Sequence, residues 1–149
     1  MTSMYKMSRF CAGLMLAGAL AGCSGPPDDS RAEEVQLQLM GTWLRDYEEN
    51  GIRVRRVLVL AQDGHFSEMA KATQHDEIMA RHDHSGEWHF DGTNLKRRYT
   101  SIDGRQPSAP KFPYAAIELR FESRNEFIGT DNVRKRQVRY QRVADGTLP

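Results

Sequence analysis

The part of this chain that follows its first two dozen residues reads as all-β. It predicts a small antiparallel meander that closes into a barrel behind one short N-terminal helix. Three observations carry that reading. Asn50-Gly51, Asp63-Gly64, Asp91-Gly92 and Asp103-Gly104 are dipeptides that favour tight hairpin turns, because both residues tolerate positive φ. Ala115 to Glu122 alternates, with Ala115, Ile117, Leu119 and Phe121 on one face and Glu118, Arg120 and Glu122 on the other. Between residues 30 and 148, prolines occur only at Pro107, Pro110 and Pro113, so no strand interior contains one.

The first segment differs in kind. Met1 to Arg9 carries Lys6 and Arg9 and no acid, and Phe10 to Ala21 is apolar or small. That pattern is the n-region and h-region of a secretory signal, too short to remain as a spanning helix. It ends in Leu20-Ala21-Gly22-Cys23, which resembles the lipobox of bacterial lipoproteins. The resemblance implies cleavage before Cys23 and attachment of diacylglycerol to its thiol, which makes Cys23 the lipidation site and the membrane the first partner. By the same resemblance, Ser24 is compatible with sorting to the outer membrane, facing the periplasm, where an Asp would favour retention in the inner membrane. Residues 1–22 are then signal peptide. Residues 23–29 are lipidated cysteine and tether, kept extended by Pro26 and Pro27. The barrel domain is 30–149.

Removing the leader takes Lys6 and Arg9 from 21 basic side chains and leaves 19, against 20 acidic ones. No global basic field points to nucleic acid. Cys11 leaves with the signal and Cys23 is consumed by lipid, so the domain has no disulfide, no thiol nucleophile and no thiolate for a metal. It depends on its hydrophobic core alone.

Ser30 to Met40 predicts the helix. Ser30-Arg31-Ala32-Glu33 matches a capping box, Val35 and Leu39 share a face, and Gly41 closes the end. Strands are predicted near 42–49, 53–61, 65–73, 77–84, 87–91, 95–102, 115–122, 125–130 and 133–143. Ser85-Gly86 and Asp131-Asn132 serve as weaker turns. Phe66, Glu68, Ala70 and Ala72 form a second alternating face that Glu68 spoils. The proline-rich stretch from Arg105 to Tyr114 is the longest loop. Eight or nine such strands lose their edges by curling into a barrel; the other solution is an open, bent sheet with the helix on it.

Leu39-Met40-Gly41-Thr42-Trp43 stands where helix meets first strand. Asp63-Gly64-x-Phe66 and Gly86-Glu87-Trp88 follow at later turns. The series resembles bacterial lipocalin-like lipoprotein domains of the calycin type. That resemblance implies a Gly-x-Trp opening in which Trp43 plugs one end of the barrel, under Arg139 or Arg142 of the last strand by cation–π contact.

Candidate chemistry is sparse. His82, Asp83, His84 and His89 form the densest group of metal-ligand types. On a strand His82 and His84 share a face, and a hairpin neighbour brings His89 or His75 near; a polar loop edge reads the same way. No Gly-x-Ser-x-Gly elbow, phosphate loop or dinucleotide fingerprint is present, which points away from an enzyme and names no cofactor. Arg97 and Arg98 cannot both face outward from one wall. If Arg97, Tyr99 or Arg139 faces inward, it gives an apolar cavity a cationic end suited to an amphipathic anion. The expected ligand residues are therefore Trp43, Trp88, Arg97, Tyr99 and Arg139. The expected function is a binding module for a small hydrophobic or amphipathic ligand. The alternative is an adaptor that binds an envelope protein through its surface.

Overall fold

Eight antiparallel strands follow one another around a closed barrel, and the last pairs with the first. The structure, a computed structural model, describes residues 29–108 and 113–149. The predicted signal peptide, Cys23 and most of the tether lie outside the described residues, as does Pro110. Helix α1 spans Asp29–Leu39, so it opens one residue early and Ser30 stands within its first turn rather than ahead of it. Among the described residues no helix is long and apolar enough to cross a membrane.

The strands are β1 Gly41–Glu49, β2 Ile52–Leu60, β3 His65–Gln74, β4 Glu77–Phe90, β5 Asn94–Ile102, β6 Tyr114–Ser123, β7 Glu126–Asp131 and β8 Arg136–Val143. Asn50 and Gly51, and Asp103 and Gly104, take the positive φ that their hairpins require. The β7–β8 turn begins at Asn132, next to the expected dipeptide, but runs to Lys135, so β8 opens at Arg136 and not at 133. The open-sheet alternative is excluded by the pairing of Thr42, Trp43 and Leu44 with Val143, Arg142 and Gln141.

One expectation is corrected. Strands 77–84 and 87–91 are a single strand, and Ser85-Gly86 is not a turn. The register between β4 and β5 shifts there, so that Ser85 faces Ser101 and Gly86 faces Tyr99, leaving Thr100 as the extra residue. Such a bulge bends the wall without ending the strand. Gly86 is required by space: a Cβ there would lie 1.9 Å from the Arg98 carbonyl oxygen and 2.9 Å from the Phe66 ring.

Alternation decides what fills the barrel. Trp43, Leu58, Leu60, Phe66, Trp88, Leu95, Ile117, Phe127 and Tyr140 point inward and form one buried cluster with Leu39 of the helix. The helix end is closed by a specific seam. The Trp43 indole N–H donates to the Leu39 carbonyl at 2.7 Å. Arg142 on β8 stacks over that indole at 4.2 Å and donates to the carbonyls of Met40 at 2.8 Å and Gln38 at 2.5 Å. Those carbonyls are ones that α1 leaves free at its C-terminus. Gly41, with φ +118°, makes room, because a Cβ there would be 2.6 Å from the guanidinium.

Gly86→Ala is expected to destabilise the barrel by about 2–3 kcal/mol, because its clash is with backbone rather than a movable side chain. Denaturant unfolding measures this; a loss well below that value would mean that the Arg98 strand shifts freely.

Candidate functional site

Above the apolar layer, toward the end of the barrel away from α1, the interior changes character. Glu68 on β3 points inward between Phe66 and Ala70 and is 1% exposed. Its neighbours across the barrel are cations. Arg56 Nη1 on β2 donates to Oε1 at 2.6 Å, and Arg97 Nη1 on β5, 7% exposed, donates to Oε2 at 2.6 Å. His84 on β4 faces Glu68 in register and brings Nδ1 within 3.5 Å of Oε1. The Arg97 guanidinium also lies over the rings of Phe66 and Tyr99, at 5.5 and 5.6 Å from their centroids.

The electrostatics follow from this packing. Burial opposes the ionised form of Glu68, but the hydrogen bond from His84 and the charges of Arg97 and Arg56 outweigh it. The carboxyl is held far below its ordinary range. Burial pushes the Tyr99 phenol up, so it stays a hydroxyl. One carboxylate thus faces two guanidiniums. The Nε atoms of Arg56 and Arg97 are buried and find no hydrogen-bond partner among the described residues. Arg45, level with Arg56 in register, stacks on Tyr47 at 4.1 Å and adds a further cation near the mouth.

At the rim, a second cluster joins this layer. The Asp103-Gly104 turn at the end of β5 lies against β4. The Asp103 backbone N–H donates to the Asp83 carbonyl at 2.7 Å, and the Asp83 N–H donates to Asp103 Oδ1 at 2.9 Å. His82 Nδ1 is 3.0 Å from Asp103 Oδ2, and His84 Nε2 is 3.9 Å from Oδ1. The Asp83 amide and His82 hold the Asp103 carboxyl below its usual range. A groove of about 710 Å³ runs past His82 and Asp103, with Met69, Lys71 and Arg81 among its other walls.

The predicted site residues divide. Of the three residues that the sequence left free to face inward, Arg97 and Tyr99 do so, with the Arg97 guanidinium over the Tyr99 ring. Trp43 and Trp88 are buried core: Trp88 donates its indole N–H to the Ala61 carbonyl at 2.9 Å, and Trp43 packs edge-on to Phe127. Both are committed to the barrel's own packing, not to a cavity. Arg139 is corrected: it faces outward and pairs with Glu126, and the cation over Trp43 is Arg142. His89 is corrected too. The outward phase of β4 at that point sets it opposite Lys96, away from His82 and His84. Sequence reasoning missed Glu68, Arg56 and Asp103 as site residues. Glu68 had left a signal, an acid on an apolar face, and so had the Asp-Gly turn.

No protein-family model matches the chain, and a search of curated proteins finds none of significant similarity.

Glu68→Ala is expected to cost about 3–5 kcal/mol, because it leaves Arg97 buried without its carboxylate. The depressed carboxyl also sets a pH dependence. Its stabilisation is complete above the unfolded value of about 4.3 and is lost as pH falls through and below it, at up to about 1.4 kcal/mol per pH unit. Chemical unfolding at pH 5 and pH 3, with chelator present, compares wild type with Glu68→Gln. The variant should lose less stability on acidification; equal losses would show that Glu68 is not ionised in the folded barrel.

Proposed function

We propose that this chain is a lipoprotein anchored through Cys23 at the periplasmic face of the outer membrane. Its barrel is a binding module that receives the anionic group of a small amphipathic molecule at the mouth away from α1. One observation carries the reading. Inside the barrel two guanidiniums share a single carboxylate, and Arg97 Nε is buried without a hydrogen-bond partner among the described residues. A buried donor left in that state favours an acceptor supplied from outside, and an anionic oxygen satisfies it best beside an excess of positive charge. The filled apolar layer below leaves the ligand's polar end, rather than a long tail, as the part held inside. The lipobox-like Leu20-Ala21-Gly22-Cys23 and the lipocalin-like Gly41-Thr42-Trp43 opening support the anchor and the class.

A second reading, a surface adaptor for an envelope protein, is favoured by β4. Residues 77–82 lie along β3 but beyond the β5 ladder, and Ile78 and Met79 there are 52% and 56% exposed. A free edge of this kind accepts an added strand.

Two measurements test the first reading. Cys23→Ala should move the protein from the membrane fraction to the soluble periplasm. The intact lipoprotein, extracted in non-ionic detergent, should carry an acidic small molecule in native mass spectrometry. That molecule should be lost from the Arg56→Leu/Glu68→Leu/Arg97→Met variant, whose all-apolar layer is expected to keep the fold. A wild type that carries no such molecule, with a crosslinked protein partner on β4 instead, would establish the adaptor.

A further inference from the structure

We propose that His82, His84 and Asp103 form a binding site for one divalent transition-metal ion of the zinc class, at the rim of the barrel and separate from the anion layer inside it. The three side chains come from two elements, β4 and the turn that follows β5, and each offers one donor atom, all within 4.8 Å of one another. Two atoms bound to one tetrahedral ion, each about 2.0–2.1 Å from it, lie about 3.3 Å apart. His82 Nδ1 lies 3.0 Å from Asp103 Oδ2 and His84 Nε2 lies 3.9 Å from Asp103 Oδ1, so each imidazole faces its own oxygen of the carboxylate at close to that spacing. His82 and Asp103 are exposed side chains that can rotate to close the set onto an ion.

Two further features distinguish the group from a chance surface cluster. The first is the outer carboxylate. Glu68 Oε1 lies 3.5 Å from His84 Nδ1, and the Nε2 side of the ring is turned toward Asp103. A carboxylate behind a ligating histidine sets its tautomer and raises its basicity, a recurrent arrangement around metal ligands. Glu68 is itself fixed by Arg56 and Arg97, so the His84 ring is oriented from inside the barrel. The second is that Asp103 is anchored. Its Oδ1 accepts the Asp83 N–H, and its left-handed φ of 49° is set by the hairpin turn. Two imidazoles and one carboxylate suit zinc, with a fourth position open. A water or an anionic group completes the shell there.

The test uses the full-length lipoprotein in detergent, stripped with chelator and dialysed, with Zn²⁺ alone in competition with a chromogenic chelator. Co²⁺ serves as a visible-absorption probe of tetrahedral coordination. One ion per chain is expected. His82→Ala, His84→Ala and Asp103→Asn should each weaken it at least tenfold, and Asp103→Asn keeps an oxygen for the Asp83 amide. Glu68→Gln should weaken it by about 10- to 100-fold, with circular dichroism confirming the fold. His75→Ala and His89→Ala should leave it within twofold. Absence of stoichiometric Zn²⁺ binding, or binding that survives both His82→Ala and His84→Ala, would overturn the site. His82→Ala leaves Arg56, Glu68 and Arg97 in place and should keep the co-purified acidic molecule, so loss of one activity does not decide the other.

Discussion

The charge on Glu68 is the constraint around which the upper half of this barrel is organised. A carboxylate almost wholly removed from water is tolerable only where its oxygens are saturated by cationic donors. Arg56 and Arg97 supply one short hydrogen bond each and His84 adds a third contact. The reverse dependence holds as strongly. Arg97 is nearly as buried, and without Glu68 it would be an unpaired guanidinium inside a sheet. The ion cluster therefore ties β2, β3, β4 and β5 together across the lumen, which hydrogen bonding between adjacent strands does not do. Replacement of the whole layer by apolar side chains would serve stability as well or better. Stability alone therefore does not explain why this layer is charged.

The opposite end solves a different problem. A barrel of eight strands has an interior just wide enough for side chains to fill, and its two mouths must be treated separately. At the α1 end, Arg142 places one planar cation between an indole face and two helix C-terminal carbonyls. That residue belongs to β8 and its partners to α1, β1 and Met40 between them, so it fastens the seam where the chain's last strand returns to its first. Only a handful of β1–β8 pairs close the ladder there, and the guanidinium adds side-chain bonds where backbone bonds are few. The result is a barrel shut at one mouth, with polar and charged groups drawn toward the other.

Much of this fold was legible in advance, because its signals are local. Asn50-Gly51, Asp103-Gly104 and the alternation of Ala115 to Glu122 encode turns and strand phase within a few residues. The closing residue Trp43 was legible through its motif, and its partner was narrowed to two arginines of β8; the phase of that strand, with Tyr140 buried, selects Arg142 over Arg139. What sequence did not reveal depends on pairing between distant strands. Glu68 looked like a flaw in an apolar face, since the cations that justify it come from β2 and β5. Ser85-Gly86 looked like a turn because Ser-Gly often is one; the glycine is there for the close approach of the Arg98 carbonyl. Parity showed only that Arg97 and Arg98 cannot both face outward; which of them turns in is decided by the barrel, where Arg98 reaches outward to Glu87 and Arg97 is buried.

The bulge that hid the strand also composes the rim cluster. In an unbroken ladder continued from the pair Gly86 and Tyr99, Ser101 would face His84 and Asp103 would fall opposite His82. The extra residue Thr100 moves β5 by one position, so Ile102 faces His84 and Asp103 comes level with Asp83, as their mutual backbone contacts show. Asp83 is the residue between the two histidines and points to the other face. The Asp103 carboxylate therefore lies between His82 and His84 instead of beyond them, with one oxygen toward each. Gly86 permits the close strand approach at which the shift begins. A single position without a side chain, in the middle of a long strand, thus connects the packing of the barrel wall to the convergence of three donor atoms at its mouth.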